Sequence, residues 1–194
     1  SLGLATLLIG VQMALKAESV LVLIVSLVIG GITGEWLDIE GALERVGDRL
    51  KSWARSGSAT FATGYVTASL VFCVGPMTIV GSIQEGMGGT ADLLYAKSLL
   101  DGAASVAFAS GLGAGVTCAA ATVIVFQGSL TLLGAKLAFL LRPDVMSELT
   151  ATGGLLIVAI GLLLLDVKRL RVANLLPALV VAVLLAMGRR SLGW

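Results

Sequence analysis

SLGLATLLIGVQMALKAESVLVLIVSLVIGGITGE, residues 1–35, holds two apolar runs parted only by the turn Lys16-Ala17-Glu18. About five more such runs follow between residues 62 and 188. Only the gap from Trp36 to Arg55 reads as water-soluble. A helix that crosses a bilayer needs ~20 mainly apolar residues, and this chain repeats that pattern along most of its length. Composition agrees. The chain is 57% hydrophobic and 13% charged, with a mean hydropathy of +1.02, whereas soluble domains carry about 25% charged residues. The 25 glycines suit helices that approach closely in lipid. The expected fold is all-α: one transmembrane bundle over residues 1–194, with about seven visible spans. These are placed at 2–15, 19–35, 61–83, 93–112, 116–141, 150–166 and 170–188. Short connections make consecutive spans antiparallel neighbours.

Several function classes fall away. There is no histidine, which removes His proton relays, His metal sites and Ser-His triads. The net charge of +1 points to no nucleic-acid partner. Cys73 and Cys118 lie in apolar runs and read as small hydrophobes rather than as a disulfide or metal pair. Gly111-Leu112-Gly113-Ala114-Gly115 lacks the strand–turn–helix context of a nucleotide-binding loop. With one clear mid-membrane acid and no base, neither an enzyme nor a cofactor is expected. The chain starts at Ser1 without a Met, partway into an apolar run, so it is expected to be part of a longer chain. A further span follows the first run where a signal peptide would carry a small-residue cleavage site.

Between the apolar runs, Ile39, Leu43, Val46, Leu50 and Trp53 recur at helical spacing, one stripe of an amphipathic helix over 36–56. Acids crowd its start and bases its end, in the sense that suits the helix dipole. With Trp36 and Trp53 at its ends it reads as a helix lying in the membrane interface; a partner-docking helix is the alternative. Basic residues divide almost evenly between the two sides of a seven-span topology, with a lean towards a cytoplasmic 36–56 segment.

Gly3-Leu4-Ala5-Thr6-Leu7-Leu8-Ile9-Gly10 lies over Gly154-Leu155-Leu156-Ile157-Val158-Ala159-Ile160-Gly161 without gaps, with glycines coinciding at both ends. A charged turn and another apolar run follow each copy. An odd offset in helix count would make the copies cross in opposite senses. That is the inverted repeat of secondary transporters, with 1–35 in one copy, 116–190 in the other and 61–112 as central helices.

Five stretches in order carry a family resemblance: Gly34-Glu35-Trp36-Leu37-Asp38-Ile39-Glu40-Gly41, Thr67 through Met77, Lys97-Ser98-Leu99-Leu100-Asp101-Gly102, Phe126-Gln127-Gly128, and Thr150-Ala151-Thr152-Gly153-Gly154. The chain resembles the YqgA/YdfK-type bacterial inner-membrane proteins, a family of unknown function, over essentially its whole length. The resemblance implies a multi-pass protein of the bacterial plasma membrane with one more helix before Ser1. It implies no activity.

The candidate chemistry therefore rests on individual residues. Asp101 sits inside the fourth span, where a charge costs ~2.5–3.5 kcal/mol on insertion scales. Ser98 and Ser105 share its face, and the three could hold a cation or a proton. The alternative is a structural pair with Lys97. Gly75-Pro76 should break the third span, offering backbone groups beside Thr78, Ser82 and Gln84; a packing kink is the alternative. Pro177 reads as a kink. Gln127 needs an amide partner in mid-span, whereas Glu35 and Glu85 fall at span ends. The resulting expectation is a transporter of a small solute or ion, cation- or proton-coupled. Its central site would comprise Asp101, Ser98, Ser105, Gly75, Pro76, Thr78, Gln84 and Gln127, with no metal. Its partners would be the bilayer, the solute and, as an open option, further copies of itself. The alternatives are a non-transporting structural or accessory membrane protein and an oligomeric channel.

Overall fold

The computed structural model describes residues 2–55, 57–168 and 170–191. Arg169, part of the charged turn expected before the last span, lies outside them. All regular structure among the described residues is helical. In chain order the helices are α1 (Leu2–Ala14), α2 (Val20–Leu37), α3 (Ile39–Trp53), α4 (Phe61–Cys73), α5 (Pro76–Gly86), α6 (Asp92–Leu112), α7 (Gly115–Leu132), α8 (Gly134–Leu137), α9 (Pro143–Leu164) and α10 (Pro177–Ser191), with 3-10 turns at Ala138–Leu141 and Val172–Leu175. The chain forms two compact units: Ser1–Glu40 with Phe139–Trp194, and Gly41–Ala138.

Among the described residues, seven full spans are not present. Four stretches among the described residues are long and apolar enough to cross a membrane: α2, α7, α9 and Val172–Arg189. Counting the bent pair α4–α5 as one span gives five. The reasons are physical. At ~1.5 Å per residue, the 13 described residues of α1 extend about 20 Å. Helix α6 has the length, 21 residues, but Asp92, Lys97 and Asp101 lower its hydropathy. The expected fifth span stops at Leu132 and gives way to short pieces, and the expected sixth begins seven residues earlier than 150, at Pro143. Pro143 occupies the first turn of α9, where its missing N–H costs nothing. Pro177 likewise starts α10 rather than kinking it.

In the first unit, α9 is the hub, buried along most of its length (Val145, Leu156, Ile160 and Thr152 among others). It packs on α1 through glycines. A Cβ added at Gly10 would lie 2.8 Å from the Gly154 carbonyl, and one at Gly154 would lie 2.7 Å from the Gly10 carbonyl. Gly161 meets Leu7, Gly10 meets Val158, Gly3 meets Leu165 and Gly154 meets Ala14. Rising numbers on α1 thus meet falling numbers on α9, so the two helices run antiparallel. Helices α2 and α10 cross the same way, Gly30 on Ala178 and Gly34 on the Asn174 carbonyl. Close backbone approach at small residues is how helices gain contact where burial of apolar surface supplies no drive.

At the end of α2, Asp38 adopts a left-handed conformation (φ 47°), one that Asp tolerates better than most residues. The turn it makes lets Glu40 accept the Ala173 N–H at 2.8 Å, while the Asn174 amide oxygen accepts the Glu40 N–H at 2.8 Å. Asn174 also donates to Glu35, which Arg171 pairs at 3.0 Å. Helix α3 forms as its stripe predicts, but that stripe is not buried in protein: Val46 is 40% exposed and Trp53 84%.

Candidate functional site

The site lies in the second unit, and its geometry starts at the broken rod. Helix α4 ends at Cys73, Pro76 opens α5, and the two axes bend by 60°. Proline cannot donate to the preceding turn, so the ladder stops there. The ends are then closed internally. The Gly75 carbonyl accepts from Thr78 N–H at 3.1 Å and Ile79 N–H at 3.3 Å. The Thr78 hydroxyl, fully buried, donates to the Phe72 carbonyl at 3.0 Å. Ser69 and Ser82, also buried on the rod, have hydroxyls without a partner among the described residues.

The rod is held from two sides. Tyr65 and Thr122 share a hydroxyl–hydroxyl bond of 2.9 Å between α4 and α7. Phe72 meets Phe108 of α6 edge-on, ring centroids 5.9 Å apart, a favourable aromatic arrangement. Gly115 abuts the Phe61 backbone at one end of α7, and Gly86 abuts Thr131 at the other.

Between α6 and α7 lies an open groove of about 490 Å³. Lys97, Ser98, Asp101 and Ser105 line it from α6, Thr117 and Gln127 from α7, with apolar walls between them. Spacings of three and four residues put the α6 residues on one face. Lys97 and Asp101 form an ion pair one helical turn apart. The partners are unequal: the Lys97 side chain is 7% exposed and that of Asp101 28%. The ammonium is therefore packed in protein and the carboxylate faces the groove. Ser98 and Ser105 donate to carbonyls of their own helix, Tyr95 at 2.9 Å and Gly102 at 2.7 Å. Their lone pairs stay free to accept. The half-buried Gln127 amide has no protein hydrogen-bond partner among the described residues.

Of the eight residues singled out from sequence, the groove gathers Asp101, Ser98, Ser105 and Gln127. Gly75, Pro76 and Thr78 form the break and do not line the groove, and Gln84 is exposed on α5. The basic neighbour foreseen as the structural alternative is present, yet it does not seal Asp101 away. Lys97 belongs to the site as a full member. Glu148 was not foreseen: it is 2% exposed inside α9. The signal for it was Pro143, which as a helix-opening residue places Glu148 within the helix rather than ahead of it. No group of three or more potential metal-ligating side chains exists among the described residues.

The profile of a family described as "Protein of unknown function (DUF554)" matches residues 1–187. The chain is similar to an "Uncharacterized membrane protein YdfK" of Bacillus subtilis (strain 168), 32% identical over 158 residues, covering 81% of this chain and 66% of that protein. It is similar to an "Uncharacterized protein YqgA" of Escherichia coli (strain K12), 30% identical over 185 residues, covering 93% of this chain and 79% of that one. No solved structure matches.

Proposed function

We propose, for a membrane protein that belongs to the DUF554 family of unknown function, that it is a multi-pass transporter of a small polar solute or ion in the bacterial inner membrane, with the α6–α7 groove as its site. One observation carries this reading: a charged pair, two hydroxyls and an unpartnered amide front an open groove of about 490 Å³ between helices of membrane length. Hydrocarbon against a carboxylate or a free amide is unfavourable. Such a surface is tolerated where water or a polar ligand fills it. Lys97 and Asp101 together are neutral, and the carboxylate is the charge turned to the groove, which suits a cation or a solute that donates hydrogen bonds.

The glycine contacts of α1 and α9 support an inverted repeat in the other unit. With Gly3 equivalent to Gly154 and Gly10 to Gly161, the pair Gly3/Gly161 maps onto Gly154/Gly10. Likewise Gly161/Leu7 maps onto Gly10/Val158, and Gly3/Leu165 onto Gly154/Ala14. These close contacts pair off under that equivalence, which supports a two-fold relation between the two helices.

A structural or accessory role is the second reading. It is favoured by the internal closure of the helix break through Thr78 and by the back-bonding of Ser98 and Ser105. Flux separates the two. Protein reconstituted in liposomes is expected to pass at least one of three probes above protein-free liposomes: protons, radiolabelled sodium or radiolabelled rubidium. That flux should fall roughly tenfold or more in Asp101→Asn, the effect of losing ~1.4 kcal/mol of interaction. No flux of any probe, or unchanged flux in the variant, speaks for the structural role.

A further inference from the structure

From Gly41 onward, α3 belongs to the second unit, where it rests on α4. A Cβ added at Gly47 would lie 3.2 Å from the Ala62 Cα and 3.2 Å from the Tyr65 ring. That contact fixes which way the helix faces. Each residue turns an α-helix by about 100°. Turning one way from Gly47, the surface passes Leu43 and Leu50, both half-buried, and then Val46 and Trp53, both exposed. Turning the other way, it passes Glu44 and Asp48, both exposed. Arg45 and Arg49, also exposed, stand opposite Gly47, each about 160° from it.

Ala62 and Tyr65 lie in the first two turns of α4, the opening of the bent pair that is apolar enough to form one span. Helix α3 therefore rests where that span meets the membrane surface. Its apolar edge, Val46 and Trp53, has no protein cover, and tryptophan is favoured at the depth of the headgroups. With that edge in lipid, the opposite edge puts the Glu44 and Asp48 carboxylates in water. The two arginines then point sideways from the protein, into the headgroup layer. They stand one helical turn apart, a spacing at which like charges repel. Arg49 pairs with no carboxylate among the described residues. A phosphate held between the guanidinium groups removes the repulsion, and their planar forks match its oxygens.

We propose that α3 is a docking surface for anionic phospholipid. Arg45 and Arg49 hold the phosphate of a headgroup with net negative charge, while Val46 and Trp53 enter the acyl layer beneath it. A zwitterionic headgroup brings its own cation, which the guanidinium groups repel, so the surface selects the anionic lipid. The proposal needs the chain to lie in a membrane. It does not rest on the α6–α7 groove or on transport.

Lipid-specific quenching tests it. The chain holds three tryptophans, and Trp36→Phe with Trp194→Phe leaves Trp53 as the reporter. This protein is reconstituted in liposomes of equal phosphatidylglycerol and phosphatidylcholine, with brominated acyl chains on one lipid or the other. Bromine quenches tryptophan fluorescence on contact. Trp53 is expected to be quenched more by brominated phosphatidylglycerol, at a local enrichment of roughly fivefold or more, the effect of one basic residue near an anionic surface. Arg45→Gln together with Arg49→Gln should make the two lipids quench equally. Glu44→Gln, on the opposite edge, should keep the difference. Equal quenching with both arginines in place, or a preference that the double variant keeps, overturns the proposal. So does an absence of quenching by either lipid, the outcome of a protein partner covering this face. The assay reads no flux, so its failure and that of the groove reading are separable.

Discussion

Leucine at Gly154 is expected to leave little folded protein. A side chain there would begin 2.5 Å from the Ala14 backbone nitrogen and 2.7 Å from the Gly10 carbonyl oxygen. Both are backbone atoms inside a helix and cannot swing aside as a side-chain tip can. Helices α1 and α9 would have to separate, losing the close contact that stands in for hydrophobic drive within lipid. The expected cost is about 4 kcal/mol, at the upper end for overpacking because backbone rather than side chain must move. Gly128→Leu is the matched control, since a Cβ at Gly128 meets nothing within 4 Å. Size-exclusion chromatography of detergent-solubilised protein reads the difference. Gly154→Leu should lose the monodisperse peak and Gly128→Leu should keep it. Equal profiles would show that the α1–α9 contact does not hold the unit together.

Asp101→Asn should destabilise the protein more than Lys97→Met, although both break the same ion pair. Lys97 is 6% exposed, so removing Asp101 strands a cation in packed protein, at ~3 kcal/mol. Removing Lys97 strands a carboxylate that is 28% exposed to the groove. Water there can solvate it, and the cost falls to about 1 kcal/mol. The double variant should lie close to Lys97→Met alone, because no charge is then left unpaired. Thermal unfolding in detergent measures all three. If Lys97→Met costs as much as Asp101→Asn, the carboxylate is as dry as the ammonium and the groove is not hydrated.

The helices were legible because apolar runs and glycine-bearing turns mark them, and the amphipathic stripe from Ile39 to Trp53 needs only its periodicity. The break at Gly75-Pro76 followed from proline's missing donor. Span number was less legible. Hydropathy alone cannot tell that α4 and α5 form one bent element. The start of α9 was misplaced because Asp144 and Glu148 look like loop residues; Pro143 in the first turn and the Arg142–Asp144 pair at 2.5 Å carry the helix back to residue 143. In the site, helical spacing alone brought Ser98, Asp101 and Ser105 together. Gln127 joined them through packing of α6 on α7, which sequence could suggest but not fix. Thr78 and Gln84 went elsewhere. One turned inward to cap the Phe72 carbonyl and the other turned out to the surface, a difference that depends on the 60° bend and not on residue type.

The hydration of the α6–α7 groove is tested most directly by thiol accessibility in membrane vesicles. With Cys73 and Cys118 replaced by alanine, single cysteines at Ser98, Ser105 and Leu100 would be exposed to a charged, membrane-impermeant thiol reagent. Ser98 and Ser105 line the groove, whereas Leu100, 59% exposed, lies on α6 away from it. A wet groove predicts rapid modification at positions 98 and 105 and none at 100. Protection of all three, or equal reaction at all three, would contradict it.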